Sequence, residues 1–320
     1  MKKKKYLFLI LGLIIIIFVS SCTSKNSIVS KEDSSEKTKE ELKESKKEKQ
    51  EKVMIEFKAL ISENKEPYQV IEFIDENIEK VSKKESVEML EDFEKLQESY
   101  IDLYTDELSK ENRQNILSQT YSNSEIDPNK IEEIKDDELK ELVSKIVKGR
   151  YKLVEKEGSY CPVINYVSFK DYEKFLSDEL KEYLNIKIIE SEAPAILDGK
   201  IAITWDELGS RLIRIEKYLT KYEEGIKDEE LTRLYSEYLL MYISGSKNTP
   251  IYNDENKKIS KEILDAYKKM ASNNKKTITG EIIREYSQLI EDNDYLVDDT
   301  VTSRLLEVYN EAIGRLEENK

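Results

Sequence analysis

The strongest constraint on this chain is the spacing of its apolar residues. From Glu51 onward they recur at three- and four-residue steps, the period that lays one stripe along a helix. Val53, Phe57, Leu60 and Ile61 mark a first face. Val70, Ile71, Ile74, Ile78 and Val81 mark a second, opened by Pro67 at a helical start. Val87, Leu90, Phe93, Leu96, Tyr100, Leu103 and Tyr104 mark a third, which continues past a break near Ser109 to Ile116 and Leu117. The cleanest stripe runs Leu139, Leu142, Val143, Ile146, Val147, Tyr151 and Val154, and Gly158 is expected to close it. Only 9 glycines and 5 prolines interrupt 320 residues, which suits long helices better than many tight turns.

Local start signals agree with these stripes. Ser82-x-x-Glu85 and Thr204-x-x-Glu207 are capping-box patterns. Asp127-Pro128 fits an N-cap followed by proline, after a loop expected over 122–127. Between Gly158 and Ile203 the period is lost. Tyr160 to Val167 carries a proline and no helical spacing. Ser168 and Ser177 are expected to cap short helices. Asp198-Gly199 between aliphatic runs fits a two-residue hairpin or a plain loop equally. The helical period returns from Thr204. One helix is expected to stop at Gly225 and the next at Gly245, with a polar loop over 246–255 and three further helices beyond it. No fixed repeat is present.

The expected architecture is all-α, an antiparallel bundle of about nine to eleven helices in one or two lobes, with a short irregular or hairpin segment near 158–203. The expected divisions are a leader over 1–21, a disordered stalk over 22–49, helical regions over 50–157 and 204–320, and a connector over 158–203. The stalk assignment rests on composition, because its Ser, Lys and Glu cannot bury enough surface to offset ordering.

The leader carries the most specific motif. Lys2 to Lys5 precede an apolar run from Tyr6 to Val19, and Val19-Ser20-Ser21-Cys22 follows. A basic end, a short apolar core and small residues at the exit make a secretory signal. The run is shorter than the roughly 20 residues of a membrane span. Val19-Ser20-Ser21-Cys22 resembles the lipobox of bacterial lipoproteins of the Gram-positive type. The resemblance covers the leader alone; the stretch from Gly158 to about Tyr252 is similar only to segments of uncharacterised lipoproteins. It implies cleavage between Ser21 and Cys22, diacylglyceryl transfer to the Cys22 thiol, and a mature chain held to the outer face of the cytoplasmic membrane. Two acyl chains anchor stably where one does not.

Charge and composition exclude several functions. The chain has 52 Lys+Arg against 67 Asp+Glu, a net charge of −15, and −19 without the four leader lysines. That balance opposes nucleic acid, which needs a basic footprint. There is no histidine, so histidine-based acid–base catalysis and histidine metal sites are excluded. Beyond Cys22 the only cysteine is Cys161, so no internal disulfide framework exists in the mature chain. Without histidine nothing of the usual kind activates Cys161, which reads as a small hydrophobe. The acid pairs Glu223-Glu224, Asp228-Glu229-Glu230 and Asp298-Asp299 read as helix starts and solvated faces, because acids favour the first helical turn. Trp205 reads as a packing residue.

Twenty tyrosines are unusual, and those at helical spacing read as core and rim. Any recognition surface is expected near Tyr160, Tyr166, Asn248 and Tyr252, in the least regular parts of the chain. No catalytic residue, metal or cofactor is expected. The expected function is a non-catalytic module at the cell surface that binds a protein, peptide or cell-wall polymer. The alternatives are the solute-binding receptor of a transporter and a carboxylate-dependent wall enzyme or foldase-like helper.

Overall fold

The computed structural model describes residues 33–121 and 127–318, with side chains from residue 43. The leader, Ser21, Cys22 and residues 122–126 of the expected loop lie outside the described residues. The chain divides into two units, Met1–Lys47 and Glu48–Lys320. The boundaries expected at 157/158 and 203/204 both fall inside the second unit.

The fold is mostly α-helical, as the apolar spacing predicts. Twelve α-helices occur among the described residues: α1 Asp33–Ser62, α2 Pro67–Asn77, α3 Lys83–Ser109, α4 Arg113–Thr120, α5 Asp137–Lys148, α6 Asp178–Glu192, α7 Trp205–Lys221, α8 Asp228–Ser244, α9 Lys261–Asn273, α10 Ile278–Asp292, α11 Asp299–Thr302 and α12 Leu305–Glu318. Three antiparallel hairpins interrupt them: β1 Tyr151–Lys156 with β2 Ser159–Ile164, β3 Ile196–Leu197 with β4 Lys200–Ile201, and β5 Gly245–Ser246 with β6 Thr249–Pro250. Among the described residues no helix is long and apolar enough to cross a membrane.

α1 reaches back to Asp33, into the segment expected to be a disordered stalk. Glu and Lys are good helix formers, and Glu44 with Lys47 and Glu48 with Lys52 stand at the helical spacings that favour opposite charges. The part over 39–50 is where a frayed extension of the first helix is expected from the sequence.

Caps behave as local sequence dictates. Ser82 accepts from the Glu85 amide at 3.3 Å, and the Glu85 carboxylate accepts from the Ser82 amide at 2.7 Å. Ser177 accepts from Leu180 N. Thr204 accepts from Glu207 N, but the Glu207 carboxylate turns to Arg211 at 3.0 Å, so that box is half closed. α10 is capped from a distance as well: the buried Glu216 of α7 accepts from the amides of Ile278 and Thr279 at 2.7 and 2.9 Å. A carboxylate there meets the positive end of the helix.

Several expectations are corrected. The stripe from Leu139 is not one helix. α5 ends at Lys148, Arg150 takes a left-handed φ of 63°, and Tyr151 begins a strand. Helical spacing and strand alternation coincide over so short a window, and here alternation wins: Tyr151 and Leu153 enter the core while Lys152 and Val154 face outward. Gly158 is therefore a hairpin residue and not a helix stop. Glu157 and Gly158 both have positive φ, 51° and 80°, as a two-residue hairpin turn of the mirror-image type requires. Ser168 caps nothing; it lies inside a 3₁₀ helix, Tyr166–Phe175. Asp127 caps as expected, accepting from Asn129 N with Pro128 at the helical start, but what it opens is a 3₁₀ turn, Pro128–Glu133, and α5 has its own cap at Asp136. The helix expected to stop at Gly225 ends at Lys221. At 195–203 the hairpin forms, and the loop expected over 246–255 begins with part of another.

Pro162 sits within β2 without breaking its ladder. Asn165 N donates to Arg150 O, and the main-chain N–H and C=O of Tyr160 turn outward to the Gln114 amide. By strand alternation Pro162, two residues on, also turns outward, where no ladder bond is needed.

One hydrophobic cluster runs from Phe57 to Leu316. Much of it is tyrosine, and buried hydroxyls find carbonyls: Tyr100 on Asn64 O at 3.0 Å, Tyr151 on Gln97 O at 2.7 Å, Tyr286 on Ile243 O at 3.0 Å, and Tyr267 on Tyr242 O. At these positions a satisfied tip lets a large apolar body be buried, whereas the hydroxyls of Tyr121, Tyr222, Tyr238 and Tyr242 are buried with no hydrogen-bond partner among the described residues. Trp205 is a packing residue, its indole donating to Tyr242 O.

Candidate functional site

α3, α6, α8 and the 3₁₀ helix Tyr166–Phe175 bring charged side chains together inside the second unit. Glu94 of α3 accepts from Tyr166 Oη at 2.8 Å and lies 2.5 Å from Tyr183 Oη of α6. Its other oxygen holds Lys227. Glu230 of α8 accepts from Lys187 Nζ at 2.6 Å, lies 2.9 Å from Tyr183 Oη and 3.6 Å from Lys227 Nζ. Two carboxylates thus face two ammonium groups, with two phenols between them.

The electrostatics of this group are self-consistent. Burial alone would lower the Lys227 pKa, but the charge and hydrogen bond of Glu94, helped by Glu230, raise it overall. Burial alone would raise Glu230, but Lys187 and Lys227 bring it below the usual carboxylate value. Tyr166 and Tyr183 are pushed well up, by burial and then by Glu94. They are neutral donors, and they cannot act as bases near neutral pH.

Glu94, Glu98 and Glu230 each place an oxygen within 4.8 Å of the others, a spacing that a metal ion could bridge. Lys187 and Lys227 already stand on two of these carboxylates, so the chain supplies its own cations there. A divalent ion would have to displace them or sit beside two positive charges.

Glu98, Tyr166 and Lys187 connect this cluster to an open cleft of about 790 Å³. Its floor is the outward face of the β1–β2 hairpin, with Val154, Cys161 and Val163. Ile101 and Thr105 of α3 line it, as do Glu190 to Glu192 at the end of α6 and Leu197 of the β3–β4 hairpin. Leu197 is half exposed. Burial pushes the Cys161 thiol up, which opposes thiolate chemistry. A second, charged hollow of about 530 Å³ lies at the start of α7 against α9.

The residues expected to form a recognition surface are placed differently from one another. Tyr160 is buried, with its hydroxyl donating to Tyr121 O at 2.5 Å. Tyr166 is buried in the charged cluster. Both are largely buried, because a tyrosine in a strand or 3₁₀ turn can still point inward, although Tyr166 borders the cleft. Asn248 is exposed at the β5–β6 turn, its amide 3.4 Å from Asp198 O, so the two hairpin tips meet. Tyr252 bridges to Ile259, with the Lys257 ammonium 4.7 Å above its ring. Sequence reasoning notes Glu230 only within an acid run and misses Glu94, Glu98, Lys187 and Lys227. Each lies among many similar charges, and no local pattern sets it apart.

No protein-family model, curated protein or solved structure matches the chain.

Proposed function

We propose that this chain is a lipid-tethered module on the outer face of the cytoplasmic membrane, which binds a partner without transforming it. The location rests on the basic end, short apolar core and Val19-Ser20-Ser21-Cys22 of the leader. The binding role rests on one observation, the cleft with an apolar floor and charged rim beside the hairpin β1–β2. Clefts of roughly 300–1,000 Å³ with a few placed polar groups are the usual form of binding sites. The groups that resemble catalytic carboxylates, Glu94 and Glu230, are held by Lys227 and Lys187, which favours a structural role for them.

The receptor alternative calls for two lobes built on parallel sheets. The described sheets are three two-stranded antiparallel hairpins, which gives that alternative no support.

The test of the tether is detergent phase partitioning in a host that processes lipoproteins. The native chain should enter the detergent phase, and Cys22→Ala should leave it or accumulate unprocessed. Cys22→Ala protein that partitions into detergent at the mature size would sink the reading.

A further inference from the structure

The hollow at the start of α7 shares no lining residue with the cleft, and its charges answer one another. Asp206 of α7 accepts from Lys269 of α9 at 2.6 Å, and Lys261 pairs with Asp265 at 2.5 Å. All four side chains are more than half exposed, so each pair parts at little cost. A smaller hollow of about 200 Å³ shares Asp206 and Lys269 and adds Gly209, Ser210, Ile213 and Asn273. Trp205 and Ala266 give the larger one an apolar wall. Behind Gly209 stands Tyr242 of α8. It is fully shielded from water, and its hydroxyl has no hydrogen-bond partner among the described residues. A Cβ at position 209 would come within 2.9 Å of that oxygen, so the missing side chain is what leaves the hydroxyl room. Burial and then the charge of Asp206 push the Tyr242 pKa up, so the phenol is a neutral hydroxyl here.

We propose that these adjoining hollows hold a saccharide unit, with neighbouring hydroxyls between Asp206 and Lys269, one hydroxyl turned past Gly209 toward Tyr242 Oη, and the C–H face of the ring on Trp205 and Ala266. This is a second site, independent of the cleft and of the lipid tether. Charges already paired with opposite charges give a cation or an anion nothing to gain, since either would leave one partner over. A hydroxyl donates and accepts at once, so it can enter an ion pair and leave neither group unsatisfied. A purely apolar ligand would strip water from both without replacement, whereas a sugar ring carries apolar C–H faces for the aromatic wall. A buried hydroxyl without a partner is the exception among native polar groups, and a ligand hydroxyl would satisfy it directly or through one water.

Trp205 is the only tryptophan in the chain, so its fluorescence reports on this site directly. The test titrates the full mature chain from residue 22, carrying Cys22→Ser so that it stays in solution, with N,N′-diacetylchitobiose, cellobiose and tetra-alanine over the millimolar range. At least one disaccharide should change Trp205 emission in a saturable way, and the affinity should hold in high salt because the ligand is neutral. Asp206→Ala should weaken it about tenfold, the usual size for one lost hydrogen bond to a charged group, and Asp206→Asn should restore most of the loss. Tyr242→Phe should weaken it several-fold without lowering the melting temperature, because the hydroxyl it removes has no partner in the free chain. A merely structural Tyr242 would leave the affinity unmoved. No saturable change with either disaccharide, an equal response to tetra-alanine, or native affinity in Asp206→Ala or in Tyr242→Phe would overturn the proposal. Thermal melts run beside each titration show that binding is compared among folded chains. A chain that enters the detergent phase yet fails this test loses the saccharide site alone.

Discussion

The ammonium of Lys227 is hydrogen-bonded to the carboxylate of Glu94, 133 positions earlier in the chain, and both side chains are almost shielded from water. The pair joins α3 to the residue just before α8, and Tyr166, Tyr183 and Glu230 surround it. The attraction must offset the removal of both charges from water, which happens only when the remaining polar atoms are also bonded.

Lys227→Met should therefore destabilise the protein strongly, by about 3–5 kcal/mol, because it leaves the Glu94 charge buried without its cation. Urea unfolding followed by circular dichroism measures it. Adding Glu94→Gln should return much of the loss, since the amide needs no counter-charge. A single Lys227→Met variant as stable as the native chain would mean that the pair contributes nothing to closure.

Glu98 predicts a pH dependence of opposite sign to that of Glu230. Its folded pKa is raised, so its contribution is fully favourable below the unfolded value near 4.5 and is lost as pH rises through the folded pKa. Glu98→Gln should then raise the unfolding midpoint at pH 7 and leave it unchanged near pH 4. Glu230, with a lowered folded pKa, stabilises above pH 4.5, and that contribution is lost as pH falls through its folded value. Parallel melts of native chain, Glu98→Gln and Glu230→Gln from about pH 3.5 to about pH 7.5 separate the two. Identical pH curves for all three would refute both assignments.

Two hairpin glycines should differ in sensitivity. Gly158 has a φ of 80° with open space around it, so Gly158→Ala bears only the left-handed conformation, about 1 kcal/mol. Gly245 has a φ of 75°, and an added Cβ would overlap Thr249 O. Gly245→Ala should lose distinctly more, because the β5–β6 turn must also open. Thermal melts of the two variants rank them; equal losses would mean that the turn yields freely.

What can be read in the sequence is local. Ser82 and Ser177 begin helices through bonds from amides three positions on, and Pro67 through its fixed φ at the first helical position, so the signal and its satisfaction share one window. The tyrosines are legible as core because their spacing follows the stripes. The β1–β2 hairpin is not, because Tyr151 and Val154 continue a helical period by coincidence, and the break depends on Arg150 accepting a left-handed φ. The cleft is hidden for a related reason: its floor exists only once that hairpin exists. The charged cluster is the least legible feature. Glu94, Lys187, Lys227 and Glu230 meet through the docking of three helices, and one-dimensional spacing carries no record of that.

The span between Glu94 and its cation also sets an order of events. A chain that leaves a ribosome or a translocation pore amino end first presents α3 well before α8 has emerged. Until then Tyr166 and Tyr183 can reach the Glu94 carboxylate, but its cation is still missing. The cluster is complete only once residue 227 has arrived.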